Sequence, residues 1–116
     1  MGSEMCIRDS LLMINLDVST FAEKITEKDV VLLDVRTFDE FSQTHIPEAL
    51  NIDVQGDYFT ADVSALDKSK SYAVYCRSGK RSVLASEVLD QIGVTNVYNL
   101  TGGIMEWIES GRDTVN

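Results

Sequence analysis

Cys76-Arg77-Ser78-Gly79-Lys80-Arg81 follows directly on the apolar run Tyr72-Ala73-Val74-Tyr75. A cysteine at the end of an apolar strand, opening a cationic loop that feeds a helical pattern, is what a thiolate nucleophile and an anionic substrate require. A free cysteine, with a pKa of about 8.5, is mostly protonated at neutral pH, and only its thiolate attacks. Three features of this segment should lower that value. The loop leads into a helix N-terminus, whose unpaired N–H groups and dipole favour an anion. Arg77, Lys80 and Arg81 place positive charge nearby. Gly79 permits a tight turn in which successive N–H groups form a nest around the sulfur. Such a cradle suits the outer sulfur of a persulfide or the oxygens of an anionic donor, and it needs no general base. The plain alternative is an inert strand-end cysteine packed as a small hydrophobe. The cationic, glycine-bearing loop argues for chemistry.

Other candidates carry less. Asp34 and Arg36 end a second apolar run, Val30-Val31-Leu32-Leu33-Asp34-Val35, and read as a strand-end pair holding neighbouring loops, with Glu40 as a partner for Arg36. His45, the one histidine, invites a Cys-His dyad, but Ile46-Pro47 beside it marks a turn, so its expected role is structural. Gly102-Gly103 reads as a tight strand-to-helix turn rather than an anion nest. Trp107, Phe38 and Phe41 read as core or loop packing. One His and one Cys in a plausible context cannot build a metal site, and no cofactor is expected.

These residues need a frame. The 116 residues suit one domain, which should bury roughly two-thirds of its unfolded surface. Ten Lys and Arg face 19 Asp and Glu, for a net charge of −9. Between residues 68 and 86 there is no acidic residue, while Lys68, Lys70, Arg77, Lys80 and Arg81 all fall there. An acidic chain with one cationic segment is not a nucleic-acid binder; it is a body with a small anion site. No run approaches the ~18 apolar residues of a membrane span. Residues 1–12, with Cys6, read as a polar leader, a tag remnant or unstructured start; residues 13–112 form the domain and 113–116 a tail. Two cysteines in such different settings imply no disulfide framework.

Strands are expected at residues 13–16 (an edge), 30–35, 49–52, 71–76 and 96–100. Thr20-Phe21-Ala22-Glu23 and Thr37-Phe38-Asp39-Glu40 match capping boxes, giving short helices that reach about residue 26 and stop before Pro47. Residues 62–66 suggest a turn of helix. Ala85, Val88, Leu89 and Ile92 fall on one helical face, which Gly93 ends, and a last helix covers 103–110. Strands alternating with helices imply an α/β domain, a mostly parallel sheet of about five strands with helices on both faces. Ligands then bind beyond the strands' carboxyl ends, where Cys76 falls.

Leu33-Asp34-Val35-Arg36, Glu40-Phe41, His45-Ile46-Pro47-Glu48-Ala49-Leu50-Asn51-Ile52, Val74-Tyr75-Cys76-Arg77-Ser78-Gly79-Lys80-Arg81-Ser82 and Leu100-Thr101-Gly102-Gly103-Ile104-Met105-Glu106-Trp107 together resemble the single-domain rhodaneses, sulfurtransferases of the thiosulfate type. The pieces keep the family's order over about residues 13 to 112. The resemblance implies a rhodanese-like fold and a cysteine persulfide on Cys76. The sulfur would come from thiosulfate or a related persulfide and pass to a thiol, cyanide or a protein acceptor. It places substrate binding on Arg77, Ser78, Gly79, Lys80, Arg81 and Ser82. Arg77 and Lys80 would orient the donor, and Arg81 would steady the loop or the donor's sulfonate. Asp34, Arg36, Glu40 and His45 would be structural support. One departure is Glu48, where the family usually has glycine. Phosphatases of rhodanese-like fold separate Cys and Arg by five residues; Cys76 and Arg81 are separated by four, and the shorter loop favours sulfur over phosphate. The mercaptopyruvate-type loop, similar to Cys-Gly-x-Gly-x-Thr, lacks these cations, which suit the thiosulfate dianion. The alternatives are a phosphatase or arsenate reductase with the same loop logic, and a non-catalytic module that binds a partner. No nucleic-acid or membrane partner is expected. A reduced Cys76 suits the cytoplasm, or the periplasm if a signal peptide was removed.

Overall fold

The apolar runs form a five-stranded sheet in the computed structural model, which describes residues 13–116. The strands are β1 (Met13–Leu16), β2 (Val30–Asp34), β3 (Leu50–Asn51), β4 (Ser71–Tyr75) and β5 (Val97–Leu100). They lie in the order β1-β5-β4-β2-β3, and every pairing is parallel. The helices are α1 (Val18–Lys24), α2 (Phe38–Gln43), α3 (Phe59–Ser64), α4 (Lys80–Gln91) and α5 (Gly103–Glu109). The leader and Cys6 lie outside the described residues.

Side chains of a strand point alternately to opposite faces, and the central strand shows why its run is apolar throughout. Tyr72, Val74 and Cys76 join Leu33 and Val35 in a core with Phe59 and Val63 of α3 and Ala85 and Leu89 of α4. Ala73 and Tyr75 join Leu32 in a second core with Phe21 of α1 and Ile104 and Trp107 of α5. Both faces of the sheet are therefore covered, as expected of parallel strands. Because β4 lies between β5 and β2, its carboxyl end opens between the loops that follow both neighbours. Cys76 is the first residue beyond that end.

Several boundaries differ from the sequence reading. The capping box expected at Thr20 does not form; α1 starts earlier, at Asp17, whose Oδ1 accepts the Thr20 N–H at 2.8 Å. This start puts Val18 and Phe21 three residues apart on the buried side. Likewise α3 begins at Phe59, because Phe59 and Val63 at i and i+4 both enter the core. The Thr37 box forms as expected: Thr37 Oγ1 accepts the Glu40 N–H at 3.2 Å, and Glu40 Oε1 accepts the Thr37 N–H at 3.1 Å. Phe38, expected to pack, is instead 67% exposed at the first position of α2.

Glu48 adopts φ 72°, the left-handed region that favours glycine. It follows Pro47 in a turn closed by Ala49 N–H donating to Ile46 O at 3.2 Å, and the second central position of such a turn is where a positive φ is needed. The family's glycine thus has a backbone reason, and this chain keeps the turn without it. The C-terminal residues are tied down as well. His45 and Val115 exchange backbone hydrogen bonds of 2.8 and 2.9 Å, and Trp107 Nε1 donates to Asp113 O at 2.9 Å.

Candidate active site

Cys76 is 1% exposed and opens the turn between β4 and α4. Gly79 N–H donates to Sγ at 3.1 Å, and Ser82 Oγ lies 3.6 Å from it on the first turn of α4. Ser82 Oγ also lies 3.1 Å from Gly79 O. In the thiol form Sγ–H donates to Ser82, which donates to Gly79; in the thiolate form the single hydroxyl proton turns to the sulfur. Burial by itself raises the Cys76 pKa. The Ser82 hydroxyl and the N–H groups of Ser82, Gly79 and Ser78 outweigh it, and the thiol is held below its ordinary value. Of the nest expected around the sulfur, the Gly79 N–H makes the direct hydrogen bond.

Of the cations expected to help, Arg81 is coupled to the Cys76 thiolate through its charge while its guanidinium is engaged elsewhere. Arg81 turns to α2, where Nη1 meets Glu40 Oε1 at 2.7 Å and Nη2 meets Oε2 at 2.9 Å, a bidentate pair. Arg81 therefore holds the loop rather than facing solvent. Glu40 is the partner of Arg81 and not of Arg36. Arg81, opposed by burial and helped by Thr37, brings its carboxyl down to about 2. Arg77, Ser78 and Lys80 are exposed around the loop. Among the described residues the Arg77 and Lys80 side chains have no hydrogen-bond or ion-pair partner, which leaves both available to an incoming anion.

Two glycines let the loop sit where it does. Gly79, at φ 103°, is the N-cap of α4, and a Cβ there would lie 2.2 Å from Thr101 O. Gly103, at φ 65°, would put a Cβ 2.3 Å from Arg77 O. Only their missing side chains allow the β4–α4 loop and the β5–α5 turn to touch backbone to backbone. At that contact the first N–H groups of α5 donate to the loop: Ile104 N–H to Cys76 O at 2.9 Å and Met105 N–H to Arg77 O at 3.2 Å. A peptide's C=O and N–H point opposite ways. Drawing these two carbonyls toward α5 therefore turns the following N–H groups away from α5, into the loop. Gly102-Gly103 is the tight turn expected, and its helix end grips the loop instead of an anion.

Asp34 and Arg36 form the buried support below the loop, 0% and 3% exposed. Arg36 Nη2 donates to Asp34 Oδ2 at 2.7 Å and Nε to Oδ1 at 3.1 Å, while the Arg36 N–H also reaches Oδ1 at 2.8 Å. Arg36 Nη2 donates further to Thr44 O at 2.6 Å, tying β2 to the end of α2. Asn51 Nδ2 donates to Asp34 O and Arg36 O at 3.1 and 3.0 Å, a brace that had no distinct sequence signal. His45 stands apart from the sulfur: its ring stacks on Phe41 with centroids 3.7 Å apart, and Nδ1 lies 2.8 Å from Phe41 O. Among the described residues no cluster of side chains could hold a metal ion.

The arrangement is matched elsewhere. A family model described as Rhodanese-like domain covers residues 17–110. A sulfurtransferase of Allochromatium vinosum is 36% identical over 105 residues, 89% of this chain and 96% of that protein. The thiosulfate:glutathione sulfurtransferase of Saccharomyces cerevisiae is 31% identical over 101 residues, 78% of this chain and 73% of that protein. A solved rhodanese-related protein of Thermoplasma volcanium superposes with a TM-score of 0.76 at 33% identity, over 88% of this chain and 97% of that one.

Proposed function

The chain belongs to the rhodanese-like domain family, with sulfurtransferases among its relatives, and from that premise we propose that Cys76 carries sulfur as a persulfide between a thiosulfate-type donor and a thiophilic acceptor. The observation that carries this reading is the cradle at Sγ: a buried sulfur facing the Gly79 N–H and the Ser82 hydroxyl, with its acidity raised by them. In the first half-reaction the thiolate attacks the sulfane sulfur of thiosulfate. The donor's S–S bond breaks, sulfite leaves with the electron pair, and Cys76 keeps the outer sulfur as an anionic persulfide. Arg77 and Lys80, exposed beside the loop, attract and orient the donor's sulfonate. In the second half-reaction the acceptor attacks that outer sulfur, and the pair returns to Sγ as thiolate. A relative named for thiosulfate and glutathione supports this donor and a thiol acceptor.

A phosphatase reading is disfavoured by the Glu40–Arg81 pair. An arginine gripped by a carboxylate through both nitrogens must break that pair before it can hold a phosphate. A binding-only module would have no need of a cysteine set among these donors. A reducing cytoplasm would keep Cys76 available. Thiocyanate formation from thiosulfate and cyanide tests the proposal. Wild-type protein should turn over and Cys76→Ala should be silent with an unchanged melting curve; turnover by Cys76→Ala overturns it.

A further inference from the structure

Beside the sulfur loop, between α2 and α5, lies a groove of about 340 Å³. Glu40, Thr44 and buried Arg36 line one side, Met105 and Ile108 the other, and Arg77 joins them. Two of its lining residues adjoin Cys76: Arg77 follows it in the chain, and Ile104 donates its N–H to Cys76 O at 2.9 Å. The groove's charges are unequal in availability. Arg36 is satisfied by Asp34 and Thr44, and Glu40 by Arg81 and Thr37. Arg77 is exposed and, among the described residues, without a partner, so one positive charge is left over. Opposite it stand Met105 and Ile108, 45% and 48% exposed, which α5 turns away from its own core contacts at Ile104 and Trp107. A volume of this size falls in the range of small-molecule sites rather than protein interfaces.

We propose that this groove is the acceptor subsite, and that it selects a small thiol with an apolar stem and one carboxylate. The inference rests on the persulfide reading above. The stem lies along Met105 and Ile108, the carboxylate pairs with the Arg77 guanidinium, and the thiol reaches the Cys76 persulfide. Arg77 serves both half-reactions because sulfite has left before the acceptor binds. In the transfer, the acceptor sulfur forms a new bond to the outer sulfur while the bond from that sulfur to Sγ breaks. The electron pair stays on Sγ as thiolate, and the thiol proton stays with the product persulfide.

The test separates loading from discharge. Cys76 is loaded with thiosulfate, or with glutathione persulfide if thiosulfate fails, and loading is read by intact mass. Discharge is then timed with mercaptohexanoate, with mercaptohexanol as the neutral match, and with cyanide, which is too small to use the groove. The carboxylate should lower the Michaelis constant about tenfold relative to the alcohol, the worth of one charge-assisted contact. Ile108→Asp, an exposed position outside the loop, should raise the mercaptohexanoate constant about tenfold and leave loading and cyanide discharge unchanged. Arg77→Ala should make the two thiols equivalent. Equal constants for the two thiols with the wild-type protein, or no response to Ile108→Asp, overturn the groove while leaving the persulfide reading intact. Failure of both donors to load Cys76 overturns the persulfide reading, and the groove's role with it.

Discussion

Ser82 decides how far the sulfur is prepared for attack. Its hydroxyl is the foremost of the groups that favour the thiolate against the burial that opposes it, and it is itself wholly buried. The sign is direct. A group that donates only to the ionised sulfur lowers the pKa, so its removal must raise it. In Ser82→Ala the pH midpoint for alkylation of Cys76 should move upward, and sulfur transfer at neutral pH should fall by about tenfold, the scale of one hydrogen bond to a charged group. An unchanged midpoint in the alkylation profile would assign the thiolate's stability to the backbone alone. Sequence reading put Ser82 among the substrate contacts and credited the helix end, the cations and the backbone nest with acidifying the thiol. The part of the Ser82 hydroxyl was not legible, because a side chain's direction on the first turn of α4 depends on how the loop enters it, here through Gly79 at φ 103°.

At the scale of elements, the sulfur loop is held from two sides, by α5 through main-chain bonds and by α2 through the Glu40–Arg81 pair. Gly103 is the contact that admits the first of these. A Cβ at that position meets the Arg77 backbone, which cannot rotate away, and φ 65° adds strain for any other residue. Gly103→Ala should therefore cost about 2 kcal/mol in urea unfolding and reduce transfer more than tenfold, since the loop must shift. A variant with wild-type stability and activity would show that the close approach has no consequence. The central strands and α4 were legible in the sequence because a β-branched run bounded by turns and an apolar i, i+3, i+4, i+7 face mark their elements. The start of α1 was less so, as both Asp17 and Thr20 can cap. The burial of Val18 and Phe21 settles the matter, and that depends on a sheet the local sequence does not contain. The Glu40–Arg81 pair spans 41 residues and exists because β2 and β4 are neighbours, which sets the starts of α2 and α4 side by side.

For the molecule as a whole, the same buried pair that supports the site also joins its parts. Asp34 and Arg36 connect the end of β2 to α2 through Thr44, and Asn51 ties both backbones to β3. Removing one member of a buried ion pair leaves the other charge without compensation, a cost of about 3–5 kcal/mol. Against a total of about 5–15 kcal/mol this is severe. Arg36→Ala should lower stability by that amount in chemical denaturation, and a loss below about 1 kcal/mol would mean that water reaches Asp34 in place of the guanidinium. The two-sided cover of the parallel sheet and the place of Cys76 beyond its central strand were both readable from the order of elements. Which acceptor the site takes was not, because the groove draws on α2, α5 and the sulfur loop at once, and no single segment carries it. The central claim remains the persulfide on Cys76, and the most direct measurement is the intact mass of the reduced protein before and after thiosulfate, with Cys76→Ala alongside. The account predicts a gain of one sulfur atom that cyanide removes and the variant never acquires; a gain that survives in Cys76→Ala, or no gain from thiosulfate or any persulfide donor, would contradict it.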